Sequence, residues 1–167
     1  MPRSRRSAPA PWRSVRGPDG RERVASGTPW EATVGYSRAV RAGSRVHVSG
    51  TTATGPTGTI VGPGDPYRQT VKTLDNIERA LRALGSSRAA IVRLRTFVTD
   101  LGRVDEVTRA LGERFRSVRP AMTLVAVSAL VDPAMRVEIE VEADDPGRPR
   151  ARSARGRRSG RSPRAYK

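Results

Sequence analysis

The chain has 167 residues and a formal net charge of +16, with 32 Lys and Arg against 16 Asp and Glu, no cysteine and a single histidine, His47. That length suits one domain with a sizeable core and is short for two. The lack of cysteine excludes disulfides and thiolate catalysis, a lone histidine argues against a transition-metal site, and neither metal nor cofactor is expected.

The charge is unevenly spread. Residues 1–30 carry +5, residues 31–145 carry +2 and residues 146–167 carry +9. Both ends are rich in Arg, Pro, Ser and Gly and poor in apolar residues that could offset the entropy of ordering a backbone. The sequence therefore predicts a disordered basic tail over 1–30, a folded domain over 31–145 and a disordered Arg-rich tail over 146–167. Thirty of the basic residues are Arg, a bias that a GC-rich coding sequence produces without selection for binding. The other reading is weak, non-specific, salt-sensitive contact with nucleic acid or another polyanion. Trp12, Trp30 and Tyr166 are too few to form a base-stacking platform. No apolar run approaches the roughly 20 residues that span a bilayer, and the N-terminus lacks the apolar segment of a secretory signal. A cytoplasmic protein with no membrane partner is the expectation, although the first 25 residues also have the composition of an organellar transit peptide.

In chain order, Arg45–Ala53 alternates Val46 and Val48 with His47 and Ser49, as a strand with one buried face does. A Gly- and Pro-rich loop follows through Gly64. Asp65 then caps a helix with Pro66 at its first position, Val71, Leu74, Ile77, Leu81 and Leu84 recur at helical spacing, and Gly85 closes it. Ile91–Thr99 reads as a strand, and Val104, Val107, Leu111 and Phe115 mark one face of a second helix. Gly112 interrupts that helix, a cost that close packing on a neighbour would justify. Two strands, Thr123–Leu130 and Met135–Ala143, meet at a turn on Asp132 and Pro133. The order β, β, α, β, α, β, β predicts an α+β layer, with two helices on one face of a mixed sheet of four to six strands. The other face, including Val125 and Val127, is expected to be apolar and to require a partner copy in a closed cyclic oligomer.

Four segments stand out together: YSRAV at Tyr36–Val40, HVSGTTA at His47–Ala53, QTVKTLDNIERALRALG at Gln69–Gly85, and RPAMTLVAVSALVDPAMRVEIEVEA at Arg119–Ala143. In this order and spacing the chain resembles the RidA/YjgF family over Tyr36–Ala143. The resemblance implies a chorismate-mutase-like fold, a homotrimer with ligand clefts between subunits, and hydrolytic deamination of reactive enamines or imines. It maps a ligand-site tyrosine to Tyr36, a serine to Ser49, the glutamate that orients the attacking water to Glu138, and an asparagine position to Thr108. Family deaminases carry Pro-Ala-Arg, whose arginine grips a substrate carboxylate. Here the triplet is Pro120, Ala121 and Met122, and Arg136, two residues before Glu138, is the candidate for a relocated anchor. Each residue also has a plain structural reading. Glu138, Glu140 and Glu142 make the outer face of a half-buried strand, Tyr36 fits a core or interface aromatic, and Met122 fits a gap-filling thioether. Ser49 and His47 share a strand face, but no acid is placed to complete a triad. The expected partners are two further copies of the chain and a small-molecule ligand. The reading is an enamine or imine deaminase, with a non-catalytic binding relative and an RNA-binding or RNA-cleaving protein as alternatives.

Overall fold

The computed structural model describes residues 12–146. Seven strands and three α-helices, with two short 3-10 turns before β5 and α3, order the described chain around one sheet. The strands and helices are β1 (Arg13–Arg16), β2 (Glu22–Ala25), α1 (Pro29–Val34), β3 (Ala39–Ala42), β4 (Arg45–Thr51), α2 (Pro66–Ala83), β5 (Ile91–Val98), α3 (Val104–Phe115), β6 (Ala121–Ala126) and β7 (Val137–Asp144). The seven strands run in the order β1-β2-β3-β4-β7-β5-β6, and only the β5–β6 pair is parallel. This is the expected mixed sheet, longer by the hairpin at its start.

The expectation of a disordered tail through residue 30 is corrected for residues 12–30. Glu22, Arg23 and Val24 pair with Arg41, Val40 and Ala39, and Val24 is fully buried in the core, so the hairpin extends the sheet. Its signal is hard to see in sequence because four-residue strands with one buried valine lack a measurable period. Residues 1–11 and 147–167, with the polyanion contact expected of the Arg-rich C-terminal segment, lie outside the described residues.

Helix α2 begins as its sequence dictates. The Asp65 carboxylate accepts from Arg68 N–H at 2.8 Å, Pro66 opens the first turn, and Gly85 takes φ +68° beyond the last turn. Leu74, Ile77 and Leu81 of α2 and Val107 and Leu111 of α3 pack on Val46, Val48, Leu94, Val98, Ile139 and Val141 of the sheet. Gly112 is corrected: it is exposed, and a Cβ there would meet nothing within 4 Å, so close packing does not explain it.

The face away from the helices is also corrected, because it is mostly polar. His47 of β4 stands opposite Glu142 of β7, and Arg95 of β5 opposite Glu140. Phe97 and Val125, register partners on β5 and β6, are apolar members of this face, as are Val15 and Val40 farther along it, while Val127 lies beyond β6 and donates its N–H to the Val98 carbonyl. Strand alternation of charge with Val137, Ile139 and Val141 places the acids outward, where Arg95 neutralises two of them.

Candidate functional site

Three glutamates share the outer face of β7, and their cross-strand neighbours separate them. Arg95 pairs with the Glu140 carboxylate and reaches Glu142 at 3.4 Å. Glu138 instead faces Phe97 across β5. Its other flank is Gly50 of β4, where the β4–β7 register shifts between Val48 and Thr51. A Cβ at Gly50 would stand 2.0 Å from Glu138 Oε1 and 3.0 Å from its carboxyl carbon, so the carboxylate lies on bare backbone. Burial pushes the Glu138 carboxyl above its usual range, the Glu140 charge adds to this, and the Arg38 guanidinium opposes it.

Arg38 is the cation of this cluster. Its backbone is held on both sides, with Arg38 N–H donating to the Val24 carbonyl at 2.8 Å and Ser49 N–H donating to the Arg38 carbonyl at 3.0 Å. The residue is 8% exposed and its side chain 10%. One terminal nitrogen donates to the Gly50 carbonyl at 2.6 Å and to Thr51 Oγ1 at 3.2 Å, and the other donates to the Tyr36 hydroxyl at 2.9 Å. Nε lies 3.6 Å from Glu31 Oε1. Glu31 is itself fixed, accepting from the N–H groups of Ser26 and Gly27 and from the Ser26 hydroxyl. Gly35, at φ +81°, ends α1 and turns the chain so that Tyr36 enters beside β3.

Tyr36, Ser49 and Glu138 thus come together at the corner of β3, β4 and β7. Ser49 Oγ donates to the Ser37 carbonyl at 2.8 Å and ties the two segments. The other three candidates lie elsewhere. Thr108 is exposed on α3, where its hydroxyl donates to the Asp105 carbonyl. Arg136 precedes β7 and donates its backbone N–H to Gln69 Oε1 at 2.7 Å, and the cation acting on Glu138 is Arg38 rather than Arg136. Met122 is register partner to Leu94, a residue that points toward the helices, whereas Glu138 partners Phe97 on the opposite face. Met122 and Glu138 are therefore two strands and one sheet face apart within a single chain. Sequence reasoning missed Arg38, Glu31 and Gly50. Only Arg38 left a trace, as a charge inside the otherwise uncharged YSRAV element. Among the described residues no cluster of three or more His, Asp or Glu side chains is arranged to hold a metal ion, and no helix is long and apolar enough to cross a membrane.

Comparison with known proteins finds relatives of this sequence and fold. The family model described as endoribonuclease L-PSP matches residues 27–144. An uncharacterized Streptomyces coelicolor protein is 42% identical over 121 residues, covering 72% of this chain and 90% of its own. A RutC family protein of Sulfurisphaera tokodaii is 31% identical over 64% of this chain and 84% of its own. The crystal structure of Rv2704, a YjgF/YER057c/UK114 family member from Mycobacterium tuberculosis, superposes with a TM-score of 0.68 at 42% identity, covering 75% of this chain and 99% of that one. The structure of TdcF from E. coli, solved with bound serine, superposes with a TM-score of 0.61 at 28% identity, covering 66% of this chain and 87% of its own.

Proposed function

This chain belongs to the RidA/YjgF family of endoribonuclease L-PSP proteins, and from that premise we propose that it hydrolyses small enamine or imine metabolites in a cleft between two copies of a homotrimer. The observation that carries this reading is Glu138, a half-buried carboxylate seated on Gly50 beside the Arg38–Tyr36 pair. An imine carbon is already electrophilic, so the reaction asks for an oriented water and a proton for nitrogen. Glu138 accepts a proton from water as its oxygen bonds to the carbon. The Tyr36 hydroxyl donates its proton to the nitrogen, giving a carbinolamine; protonated Glu138 then passes its proton to the nitrogen while the Tyr36 phenolate takes the carbinolamine hydroxyl proton, and the C–N bond breaks to leave a carbonyl, ammonia and both side chains in their starting states. Ser49 shapes the floor of this cleft.

The separation of Met122 from Glu138 supports a site between subunits. Two strands at about 4.8 Å spacing, on opposite faces, keep them from lining one pocket in one chain. A second copy can bring its β6 edge, with Met122 53% exposed, to the Glu138 corner of the first. The serine seen on TdcF supports a ligand of amino-acid size. Met122 offers no fork for a carboxylate, which would be left unpaired against a thioether, so the favoured ligand is an imine without a carboxylate at that position. The same substitution favours the second reading, a binding protein that has lost the chemistry. The deciding experiment supplies two imines generated in situ, 2-iminopropanoate and the imine of phenylacetaldehyde, and follows ammonia release in competition with semicarbazide. Acceleration of the second imine, abolished in Glu138→Gln, is expected; binding without acceleration of either leaves the non-catalytic reading.

A further inference from the structure

We propose that Arg38 is the positioning residue of this site, setting the direction of the Tyr36 proton and holding a fixed positive charge beside the Glu138 carboxylate. The inference rests on the deaminase reading for its kinetic consequence and on geometry for the rest.

The guanidinium has five N–H donors in a rigid fork and accepts nothing. Four directions are taken by the Gly50 carbonyl, Thr51 Oγ1, the Tyr36 hydroxyl and the Glu31 carboxylate. A fork held on four sides, on a side chain 10% exposed, cannot swing, so it defines the positions of the groups it touches. The consequence for Tyr36 follows from its hydroxyl having one hydrogen. Its oxygen accepts from Arg38 at 2.9 Å, so its own proton points away from Arg38 and is free to donate. A charge-assisted bond to the oxygen also makes that proton a better donor.

The consequence for Glu138 is electrostatic. The charged groups around it are Glu140 on its own strand, Arg38 from the segment before β3, Glu31 from α1 facing Arg38, and Arg95 from β5. His47 and Glu142 stand farther along the same face. Arg95 is engaged by Glu140 and Glu142, and Glu31 sits against Arg38 Nε. Among the described residues, Arg38 is therefore the one cation whose field opposes the burial of Glu138 and the repulsion from Glu140. It keeps ionised the carboxylate that must accept a proton from water.

The test uses the full chain with Glu-selective carbon-13 labelling, so that the Glu138 carboxyl is titrated by NMR independently of turnover. In Arg38→Gln the Glu138 titration should move to higher pH than in wild type. Ammonia release from the phenylacetaldehyde imine should fall about 10²-fold, the scale of a lost general-acid contribution, and its acid limb should move the same way. Tyr36→Phe should lose a similar factor in turnover while leaving the Glu138 titration in place. Arg38→Lys keeps the charge but not the fork, so the Glu138 titration should hold while turnover falls; should Arg38→Gln not fold, Arg38→Met removes the charge in its place and should move the titration the same way. An unmoved Glu138 titration in Arg38→Gln, or equal turnover in Arg38→Lys and wild type, overturns the proposal. Absence of turnover in wild type, with the titration shift present, overturns the deaminase reading alone.

Discussion

The carboxylate of Glu138 rests on the α-carbon of Gly50, with room for no Cβ between them. Gly50 does not need its freedom of φ, since its backbone is not in the left-handed region. It needs its missing side chain. Gly50→Ala should therefore fold, because the flexible end of Glu138 can move aside, but the carboxylate will be pushed out toward water. Its titration should drop toward the ordinary carboxylate range, and imine turnover should fall about 10²-fold through misplacement of the base. NMR titration and ammonia release check the two halves. A variant with wild-type turnover would mean that the seat on Gly50 is irrelevant.

Burial holds the Glu138 carboxyl above its usual value in the folded protein. Its protonated form is thus favoured by folding. The stability this contributes is complete below the ordinary carboxylate value of about 4.3 and is lost as pH rises through the raised folded value. Glu138→Gln should melt at a higher temperature than wild type near pH 7, with the gain disappearing near pH 3. Thermal unfolding at both pH values measures this, and a gain independent of pH would contradict the electrostatic account.

Met122→Arg should restore a forked cation to the edge of β6. The variant is expected to gain at least about tenfold on 2-iminopropanoate, a carboxylate-bearing imine, with little change on the uncharged one, because a bidentate charge-assisted pair contributes about 1.5–3 kcal/mol. Fast wild-type turnover of 2-iminopropanoate with no gain in the variant would show that the carboxylate is gripped elsewhere.

Val24 is fully buried although it belongs to a short, Arg-rich hairpin. Val24→Ala should cost about 2 kcal/mol, as removal of core methyl groups does. Urea unfolding reads this directly. A loss of a few tenths would mean that the hairpin lies on the sheet without joining its core.

Gly112 is exposed in the interior of α3 with open space where a Cβ would stand. Gly112→Ala should stabilise the protein by about 0.5–1 kcal/mol through helix propensity alone. Light scattering on the same samples should give about three times the 18.1 kDa chain mass for wild type and variant alike. A monomer at micromolar concentration would remove the cleft between copies.

The amino-acid sequence by itself determined the elements whose causes are local. Asp65, Pro66 and Gly85 bound α2 because capping and left-handed closure involve residues a few positions apart. Alternation along Val137–Asp144 put three glutamates on one face of β7 for the same reason. The family resemblance pointed to Glu138 among the three, but why it differs physically from its neighbours was decided only by tertiary structure, through the strands laid beside β7: Arg95 on β5 engages Glu140 and Glu142, while Phe97 and Gly50 desolvate Glu138. Arg38 likewise reads as one charge in a strand until β2, β4 and α1 bury it among Val24, Gly50 and Glu31. The first hairpin stayed hidden because four-residue strands carry no period, and what orders them is pairing with β3, a contact between segments that local patterning does not encode.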